Sequence, residues 1–339
     1  MNLADIPVMS RHLLRRLLGR LPKATPVDLT GKKIIVTGAS PGSIGYITAK
    51  TLASWGAHVV VSGRSNAKVT AQALMAELKQ EGRNRIVDGY DLELNNLTSV
   101  QKFAQTYCQN HGDRLDVLIN NAGIHLDLMS KWTQPNLTED NVEIHWRTNF
   151  LGTFQLINEF LPLLKKTGVE QGDARIVNVA SHLHNKGVNG DFFGTTRPYN
   201  SWDAYGQSKL GVVHLALEIE RKFGKSHNLH GYTLHPGSIY TNIAGKGLNG
   251  HGLILAVRNA LAPVEKLILL TPEQGAQTQL KCASEPGLAG GHYYERCELG
   301  VINPEAQDAL VGERLWDETE NWLQKALSGG VEYGDLGNV

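Results

Sequence analysis

Short apolar runs alternate with longer segments of helical pattern through most of the chain. The runs lack the polar alternation of a half-exposed strand, which is typical of parallel strands buried on both faces. We therefore predict an α/β fold, in which one doubly wound parallel sheet carries helices on both faces. The predicted strands lie at 33–37, 58–62, 86–90, 117–120, 175–179 and 231–234, and the predicted helices at 44–55, 67–78, 99–107, 142–164 and 205–223.

The charge balance and the cysteines exclude several classes of protein. The chain has 33 Lys and Arg residues against 33 Asp and Glu residues, so no overall positive field favours nucleic acid. Its three cysteines are scattered and form no Cys-x-x-Cys pair. This argues against a disulfide scaffold or a zinc site and favours a reducing, cytoplasmic compartment. His182 and His184 lie close together without the ligand spacing of a metal site, so we predict no metal there.

Residues 1–30 are predicted as a separate unit, a short amphipathic helix followed by a linker. Leucines and arginines fall on opposite faces of this helix. Three interpretations stay open: a helix packed on its own domain or a partner subunit, an anchor on a membrane surface, and an Arg-rich targeting peptide, which Asp5 argues against. No apolar run reaches the roughly 20 residues of a transmembrane helix. The helix contains Leu13, Leu14, Leu17, Leu18 and Leu21 opposite Arg11, Arg15, Arg16 and Arg20.

A glycine-rich turn joins the first predicted strand to the first predicted helix, with the sequence Thr-Gly-Ala-Ser-Pro-Gly-Ser-Ile-Gly at 37–45. Glycines let the backbone approach a diphosphate, and a helix N-terminus offers it free N–H groups and a positive dipole end. The turn therefore predicts a dinucleotide site at Gly38, Ser40, Gly42, Ile44 and Gly45.

The end of the second predicted strand distinguishes between the two nicotinamide dinucleotides. Sites for NAD(H) place an acidic residue there, about 20 residues after the glycines, to bind the ribose 2′-hydroxyl. This chain has no Asp or Glu between Asp28 and Glu77, and the strand ends in Ser-Gly-Arg-Ser. Because Arg64 can pair with a 2′-phosphate through a charged fork, the sequence favours NADP(H).

Tyr205 and Lys209 stand four positions apart in a predicted helix, so their side chains share one face. A tyrosine with a pKa near 10 is a poor base at neutral pH, but a neighbouring cation favours the phenolate. The pair is a candidate for proton transfer, although its spacing alone would also suit an ordinary amphipathic surface.

Taken in order, these motifs resemble those of the short-chain dehydrogenases/reductases. Asn-Asn-Ala-Gly at 120–123 follows the fourth predicted strand, and Asn149, Ser181, Tyr205 and Lys209 come after it in the family order. The resemblance runs from about residue 31 to residue 322. Its C-terminal half is similar to the retinol-dehydrogenase-type branch at 235–241 and 271–278. The resemblance implies a Rossmann-type domain over residues 31–330, with a small helical substrate lid at about 239–270.

The same resemblance implies an NADP(H)-dependent oxidoreductase that interconverts an alcohol and a ketone or aldehyde. Tyr205 would be the general acid or base, and Lys209 would lower its pKa and hold the nicotinamide ribose. Ser181 would hydrogen-bond the substrate oxygen, and Asn149 would hold a water that relays the proton. The resemblance implies further cofactor contacts. Asp91 and Leu92 would lie at the adenine, and Asn121, Ala122 and Gly123 at the middle of the cofactor. Pro236, Gly237 and Thr241 would close over the nicotinamide.

Two features depart from the common family pattern. The glycine-rich turn has one residue too many, because Ser43 and Ile44 both lie between Gly42 and Gly45, so the amides that meet the diphosphate stay unassigned. The step from Ser181 to Tyr205 is also long. Its aromatic residues are predicted either to shape the substrate pocket or to pack on the core, and they are Phe192, Phe193, Tyr199 and Trp202.

The sequence also predicts a class of substrate and leaves two alternative functions open. The apolar content of the lid indicates a lipophilic substrate, although a helix that covers the core or touches a membrane has the same composition. The alternatives are a cofactor-binding regulator without turnover and another chemistry on this fold, such as that of an epimerase, a dehydratase or an enoyl reductase. The complete catalytic set argues against the regulator, and the three residues between Tyr205 and Lys209 argue against an enoyl reductase, which has six. The family also suggests a homo-oligomer.

Overall fold

Eight strands form one sheet in the computed structural model, which describes residues 21–126, 132–194, 197–237 and 270–329. The strands are β1 (Lys33–Val36), β2 (His58–Gly63), β3 (Val87–Asp91), β4 (Val117–Asn120), β5 (Ala174–Val179), β6 (Leu229–His235), β7 (His292–Glu295) and β8 (Glu298–Leu299). Their order is β3-β2-β1-β4-β5-β6-β7-β8, and every neighbouring pair is parallel except β7 and β8. The predicted α/β class is confirmed, but β7 and the antiparallel edge strand β8 were not among the predicted strands.

Helices cover both faces of this sheet, as predicted. Alternate residues of β1 point to opposite faces, because Ile34 and Val36 belong to one buried apolar cluster and Ile35 to the other. The helices are α1 (Ile44–Ser54), α2 (Ala67–Gln80), α3 (Leu97–His111), α4 (Gly152–Gln171), α5 (Ser201–Ile219), α6 (Pro272–Ser284) and α7 (Ala309–Leu327). The cluster with Ile34 is closed by α1, α2 and α6, and the cluster with Ile35 by α3, α4, α5 and α7.

Three helices begin elsewhere than predicted, and α3 differs least, since it begins at Leu97 instead of residue 99. The predicted helix at 142–164 starts instead with a π-helical segment, Trp146–Leu151, and continues as α4 through Pro162. It starts late because Glu143 is held in an isolated bridge with Leu137. Helix α5 begins four residues early, at Ser201, because the Asn200 side chain accepts hydrogen bonds from the first free amides and caps it there.

The strand order places a crevice at the carboxyl ends of β1 and β4. Strand β1 pairs with β2 on one side and with β4 on the other, so the chain reverses its direction across the sheet at this point. In open α/β sheets, ligands bind at such a switch point, outside the carboxyl ends of the strands. The glycine-rich turn after β1, the Asn-Asn-Ala-Gly loop after β4 and Ser181 after β5 all lie at this edge.

Several predictions fall on residues outside the described ranges. They include most of the N-terminal helix, the lid except for Leu270, and Thr241. Within the predicted N-terminal linker, Ala24 and Leu29 are buried, and the Ala24 amide donates to Gln277 Oε1 at 3.0 Å. No helix in the described part of the chain has the length and apolar character needed to cross a membrane.

Candidate active site

The glycine-rich turn packs directly against the loop that follows β4. A Cβ atom on Gly38 would lie 2.8 Å from the Cα of Ala122, and one on Gly45 would lie 2.5 Å from Nδ2 of Asn121. Both contacts are too close for any side chain, so glycine is required there. Gly42 has a positive φ of 77°, and nothing lies within 4 Å of where its Cβ would be. The inner side of the turn is therefore tightly packed, whereas its outer side is open.

The extra residue of this turn is accommodated before the helix begins. The Ser43 amide donates to the Ser40 carbonyl oxygen at 2.9 Å, which closes a tight turn between them. The Ser43 hydroxyl accepts from the Tyr46 amide at 3.1 Å and donates to the Gly38 carbonyl oxygen at 3.2 Å. Ser43 is thus the N-cap of α1, and Ile44 is its first residue. The free amides of the first helical turn still face the crevice edge of the sheet.

Asn121 fastens the turn and the β4 loop together. Its Nδ2 donates to the Thr37 carbonyl oxygen at 2.8 Å, and its backbone amide donates to the Thr37 hydroxyl at 3.0 Å. Its Oδ1 accepts from Gln279 Nε2 on α6 at 3.0 Å. The predicted role of Asn121 beside the cofactor stays a prediction, but the structure uses its side chain to fix the backbone there. Sequence reasoning missed Thr37 and Gln279, because their partners come from distant parts of the chain.

Arg64 and Asp91 lie side by side at the ends of neighbouring strands and have different surroundings. Arg64 follows β2 and is exposed, and no carboxylate in the described ranges lies within 4.0 Å of its guanidinium. Asp91 ends β3, and its Oδ1 accepts from the Ala67 amide at 2.9 Å, at the N-terminus of α2. The next residue, Leu92, is buried, and its amide donates to Gly63 at 2.8 Å. The Arg64 guanidinium therefore remains available to an anion.

Ser181, Tyr205 and Lys209 meet at the carboxyl end of β5. Burial raises the pKa of Tyr205 to about 12, and a hydrogen bond with the Ser181 side chain opposes this rise. Burial lowers the pKa of Lys209 to about 8. The ammonium donates to the Val179 carbonyl oxygen at 2.9 Å and lies 5.8 Å from the centre of the Tyr205 ring. At neutral pH the phenol therefore carries its proton, and the net shift of its pKa is upward.

Asn149 lies in the π-helical segment and joins three parts of the site. Its Oδ1 accepts from the Ile124 amide at 2.8 Å, and its Nδ2 donates to the Ile124 carbonyl oxygen at 3.0 Å and to Ser208 Oγ at 3.1 Å. A Cβ atom on Gly123 would lie 3.1 Å from Lys209 Nζ and 3.3 Å from Asn149 Oδ1. Both amide hydrogens of Asn149 are thus used within the protein, and they hold the β4 loop against α5.

Pro236 and Gly237 follow β6 at the same edge of the sheet. Gly237 has a φ of 91°, and a Cβ atom on it would lie 2.5 Å from Cδ1 of Leu270. Gly237 and the Leu270 side chain therefore lie side by side. The predicted contact of Thr241 lies outside the described residues.

Two histidine rings contact Tyr205 and a glutamate is bonded to one of them, and sequence reasoning singled out none of these three residues. The His125 ring stacks on the Tyr205 ring, with centroids 4.0 Å apart and planes 13° apart. The His145 ring meets the Tyr205 ring edge to face at 6.0 Å, and Glu143 is hydrogen-bonded to His145 at 2.7 Å. A histidine directly after the Asn-Asn-Ala-Gly-Ile stretch was the available signal, because that loop faces the crevice.

These side chains can transfer a proton at an oxygen atom beside a bound dinucleotide. The open side of Gly42, at a helix N-terminus, suits a diphosphate. The buried Lys209 has three N–H donors and uses one on Val179, which leaves donors for hydroxyl groups such as those of a ribose. The residues present therefore fit a nicotinamide dinucleotide.

Comparison with known proteins identifies the family. A family model described as short chain dehydrogenase matches residues 32–250. Human retinol dehydrogenase 14 is 35% identical over 309 residues, which cover 87% of both chains. Human polyprenol dehydrogenase is 32% identical over 92% of this chain and 91% of its own. A crystal structure of a putative uncharacterized protein from Mycobacterium paratuberculosis, 27% identical, covers 90% of this chain and 96% of its own with a TM-score of 0.63.

The family model spans more than half of the chain, and the human relatives align over most of it. The resemblance seen in the sequence motifs is thereby confirmed, and so is its direction toward the retinol dehydrogenases. The chain belongs to the short-chain dehydrogenase/reductase family, whose oxidoreductases act on alcohol and carbonyl groups with nicotinamide cofactors.

Proposed function

We propose that this protein is an NADP(H)-dependent oxidoreductase that interconverts an alcohol and a ketone or aldehyde on a lipophilic substrate. The observation that carries the proposal is the meeting of Ser181, Tyr205 and Lys209 beside an open glycine-rich turn. The nicotinamide, when bound, supplies the hydride for reduction or accepts it in oxidation. The side chains of the protein handle the proton and the charge on the substrate oxygen.

Tyr205 is the general acid in the reduction direction. Its pKa of about 12 keeps the phenol protonated at neutral pH, ready to give its proton to the developing alkoxide. The single hydroxyl hydrogen of Ser181 meets the phenol in the free protein and turns to the substrate oxygen when substrate binds. In oxidation the phenolate must form, and the Lys209 cation favours it. Asn149 holds the β4 loop and supports a proton relay through water.

The preference for NADP(H) rests on Arg64. The guanidinium is exposed at the end of β2, and Asp91, the nearest acid at the strand ends, is bound to the amide of Ala67. A 2′-phosphate would therefore meet an available cation and no competing carboxylate at this position. We assign the rest of the dinucleotide to Gly38, Ser40, Gly42, Ile44, Gly45, Leu92, Asn121, Ala122, Gly123, Pro236, Gly237 and Thr241.

A lipophilic substrate fits the names of the relatives and the position of Leu21 and Pro22. The names of two human relatives refer to retinol and polyprenol, both lipophilic alcohols. Leu21 and Pro22 line an open cleft together with Pro236 and Leu270, so these two residues lie beside the site. A membrane-bound N-terminal helix would thus hold the site near the bilayer. Sedimentation with anionic and neutral vesicles tests this contact, and equal recovery with and without residues 1–20 would refute it.

The activity is tested with NADPH and a panel of long-chain and polycyclic ketones and aldehydes, retinal included, by following cofactor absorbance. Tyr205→Phe should keep cofactor binding and lose at least about 10³-fold in kcat/KM, because the general acid is gone. Tyr107→Phe is the matched control, since its buried hydroxyl donates to the Arg114 carbonyl oxygen at the opposite edge of the sheet. A Tyr205→Phe enzyme as fast as the parent would contradict the proposed function.

A further inference from the structure

A glutamate and a histidine that the proposed mechanism does not use are buried next to Tyr205. Glu143 is 3% exposed and His145 is 0% exposed. Burying a carboxylate is costly unless donors surround it, and an unpartnered buried polar group costs free energy as well. Each polar atom of a pair buried this completely must therefore have a hydrogen-bond partner within the protein.

Three donors meet the Glu143 carboxylate. His145 Nδ1 lies 2.7 Å from Oε1, the Tyr199 hydroxyl donates to the same oxygen at 3.1 Å, and the Trp146 amide donates to Oε2 at 2.8 Å. On the far side of the imidazole, the Leu126 amide donates to His145 Nε2 at 3.1 Å. These partners fix one tautomer, with the hydrogen on Nδ1 and a lone pair on Nε2.

The hydrogen bond between Leu126 and His145 acts on Tyr205 through one intervening residue, His125. Leu126 follows His125, whose ring lies parallel to the Tyr205 ring at 4.0 Å. Trp202 packs edge-on against the His125 ring at 5.0 Å. His145 also meets the rings of Tyr205 and His125 edge to face, at 6.0 Å and 6.1 Å. Phenol and imidazole are thus clamped face to face, and the backbone beside the imidazole is held by His145.

We infer that Glu143 and His145 are a positioning pair: they hold His125 against Tyr205 and so keep the phenol aimed at the substrate oxygen. Neither Glu143 nor His145 touches the reacting atoms. Both act through the backbone of Leu126 and the stacked ring of His125. The inference rests on the proposed function of Tyr205 and deepens it. A displacement of about 1 Å at such a group can cost on the order of 10²-fold in rate.

Glu143→Gln breaks the pair with almost no change in shape. The glutamine carbonyl can replace only one carboxylate oxygen, so its NH₂ group must face either the Trp146 N–H or the His145 Nδ1–H. In the second orientation His145 moves its hydrogen to Nε2, which then faces the Leu126 N–H. Either arrangement opposes two donors, and relief of that contact shifts Leu126 and His125.

The expected result for Glu143→Gln is a fall of about 10- to 100-fold in kcat for carbonyl reduction, with the Kd for NADPH changed by less than about threefold. In ¹⁵N-histidine NMR spectra, His145 should show the Nδ1–H tautomer in the parent, because Glu143 accepts from Nδ1 and the Leu126 amide donates to Nε2. The matched control is Glu220→Gln, which alters a glutamate hydrogen-bonded to His230 at 3.1 Å near the amino end of β6. Its kcat should equal that of the parent.

A second pair of variants guards against a Glu143→Gln protein that does not fold. His125→Phe preserves the stacked ring and should stay within about threefold of the parent in kcat, whereas His125→Ala should lose at least about tenfold. A folded Glu143→Gln or His125→Ala enzyme that turns over at the parent rate, while Tyr205→Phe is inactive, overturns the positioning pair alone. An active Tyr205→Phe enzyme overturns the proposed function itself.

Discussion

Asp116, at the amino-terminal edge of the sheet, and Lys209, at the carboxyl-terminal edge, are both buried charged residues, with 1% and 5% of their surface exposed. The Asp116 carboxylate accepts from the Lys33 amide at 2.9 Å, from Lys32 at 3.0 Å and from Arg114 at 2.8 Å and 2.9 Å. The Lys209 ammonium donates to a neutral carbonyl oxygen, and no carboxylate of the described ranges lies within 4.0 Å of it.

The pKa values of the two groups follow from this difference. Burial by itself would raise the pKa of Asp116, but hydrogen bonds from Arg114, the Lys33 amide and Lys32 outweigh it and hold the pKa below the ordinary 3.8. Burial lowers the pKa of Lys209 to about 8 without opposition. Removing one partner of a buried ion pair is strongly destabilising, whereas a buried charge that has no counterion is itself costly to the fold.

Lys209→Met gives the largest expected effect. The rate of carbonyl reduction should fall by about 10²- to 10⁴-fold, because the cation that serves Tyr205 is lost. The unliganded protein should become more stable by about 1–2 kcal/mol, since a buried charge without a counterion is removed at the cost of one hydrogen bond. Thermal denaturation without cofactor measures the second effect. A variant that is both inactive and less stable than the parent would contradict the predicted difference between the buried charges of Lys209 and Asp116.

Asp116→Asn should show the opposite result. The two cations lose their counterion, so the free energy of unfolding should fall by about 2–3 kcal/mol, while kcat of the folded enzyme stays within about twofold. Because its pKa is depressed, the Asp116 carboxylate stabilises the parent near neutral pH. This contribution to the free energy of unfolding is lost as the pH falls below 3.8. Denaturant unfolding at several pH values checks the prediction, which fails if the difference between parent and variant is the same at pH 3 and pH 7.

Arg64→Leu tests the exposed cation at the carboxyl edge. We expect kcat/KM with NADPH to fall by about 10- to 50-fold, because a charged hydrogen-bonded pair with the 2′-phosphate is lost. The value with NADH should change by less than about twofold. Arg314→Leu on α7 is a suitable control, since Arg314 pairs with Glu318 on an exposed helix face. An equal loss of kcat/KM with both cofactors would show that Arg64 does not bind the 2′-phosphate.

The pH profile of reduction tests the charge on Lys209 without any substitution. Lys209 should lose its proton as the pH rises through about 8, so kcat/KM should be flat below that value and fall by about tenfold per pH unit above it. Tyr205, with a pKa of about 12, stays protonated over this range. The falling limb should be absent from Lys209→Met. A parent profile that stays flat to pH 10 would mean that the charge on Lys209 is not needed.

The features that could be predicted from the sequence depend on local spacing. Tyr205 and Lys209 share a helix face, and Asn121 and Ser181 follow strands, so parallel strand order alone brings them to one edge. The edge strand β8 was missed because two residues form no recognisable pattern. The pair of Glu143 and His145 was missed because its partners include Tyr199, far along the chain. The upward shift of the Tyr205 pKa was also missed, because depth of burial depends on the whole fold.

The contact between Gly237 and Leu270 has a consequence for how such enzymes diverge. Because Gly237 and Leu270 lie side by side, a change in the number of residues between them costs little closure entropy, which grows only with the logarithm of length. Replacing everything between these two residues with the corresponding segment of a relative should therefore leave the sheet and the proton chemistry intact. We expect natural variation between these two residues to change which alcohols are accepted without any change in the reaction itself.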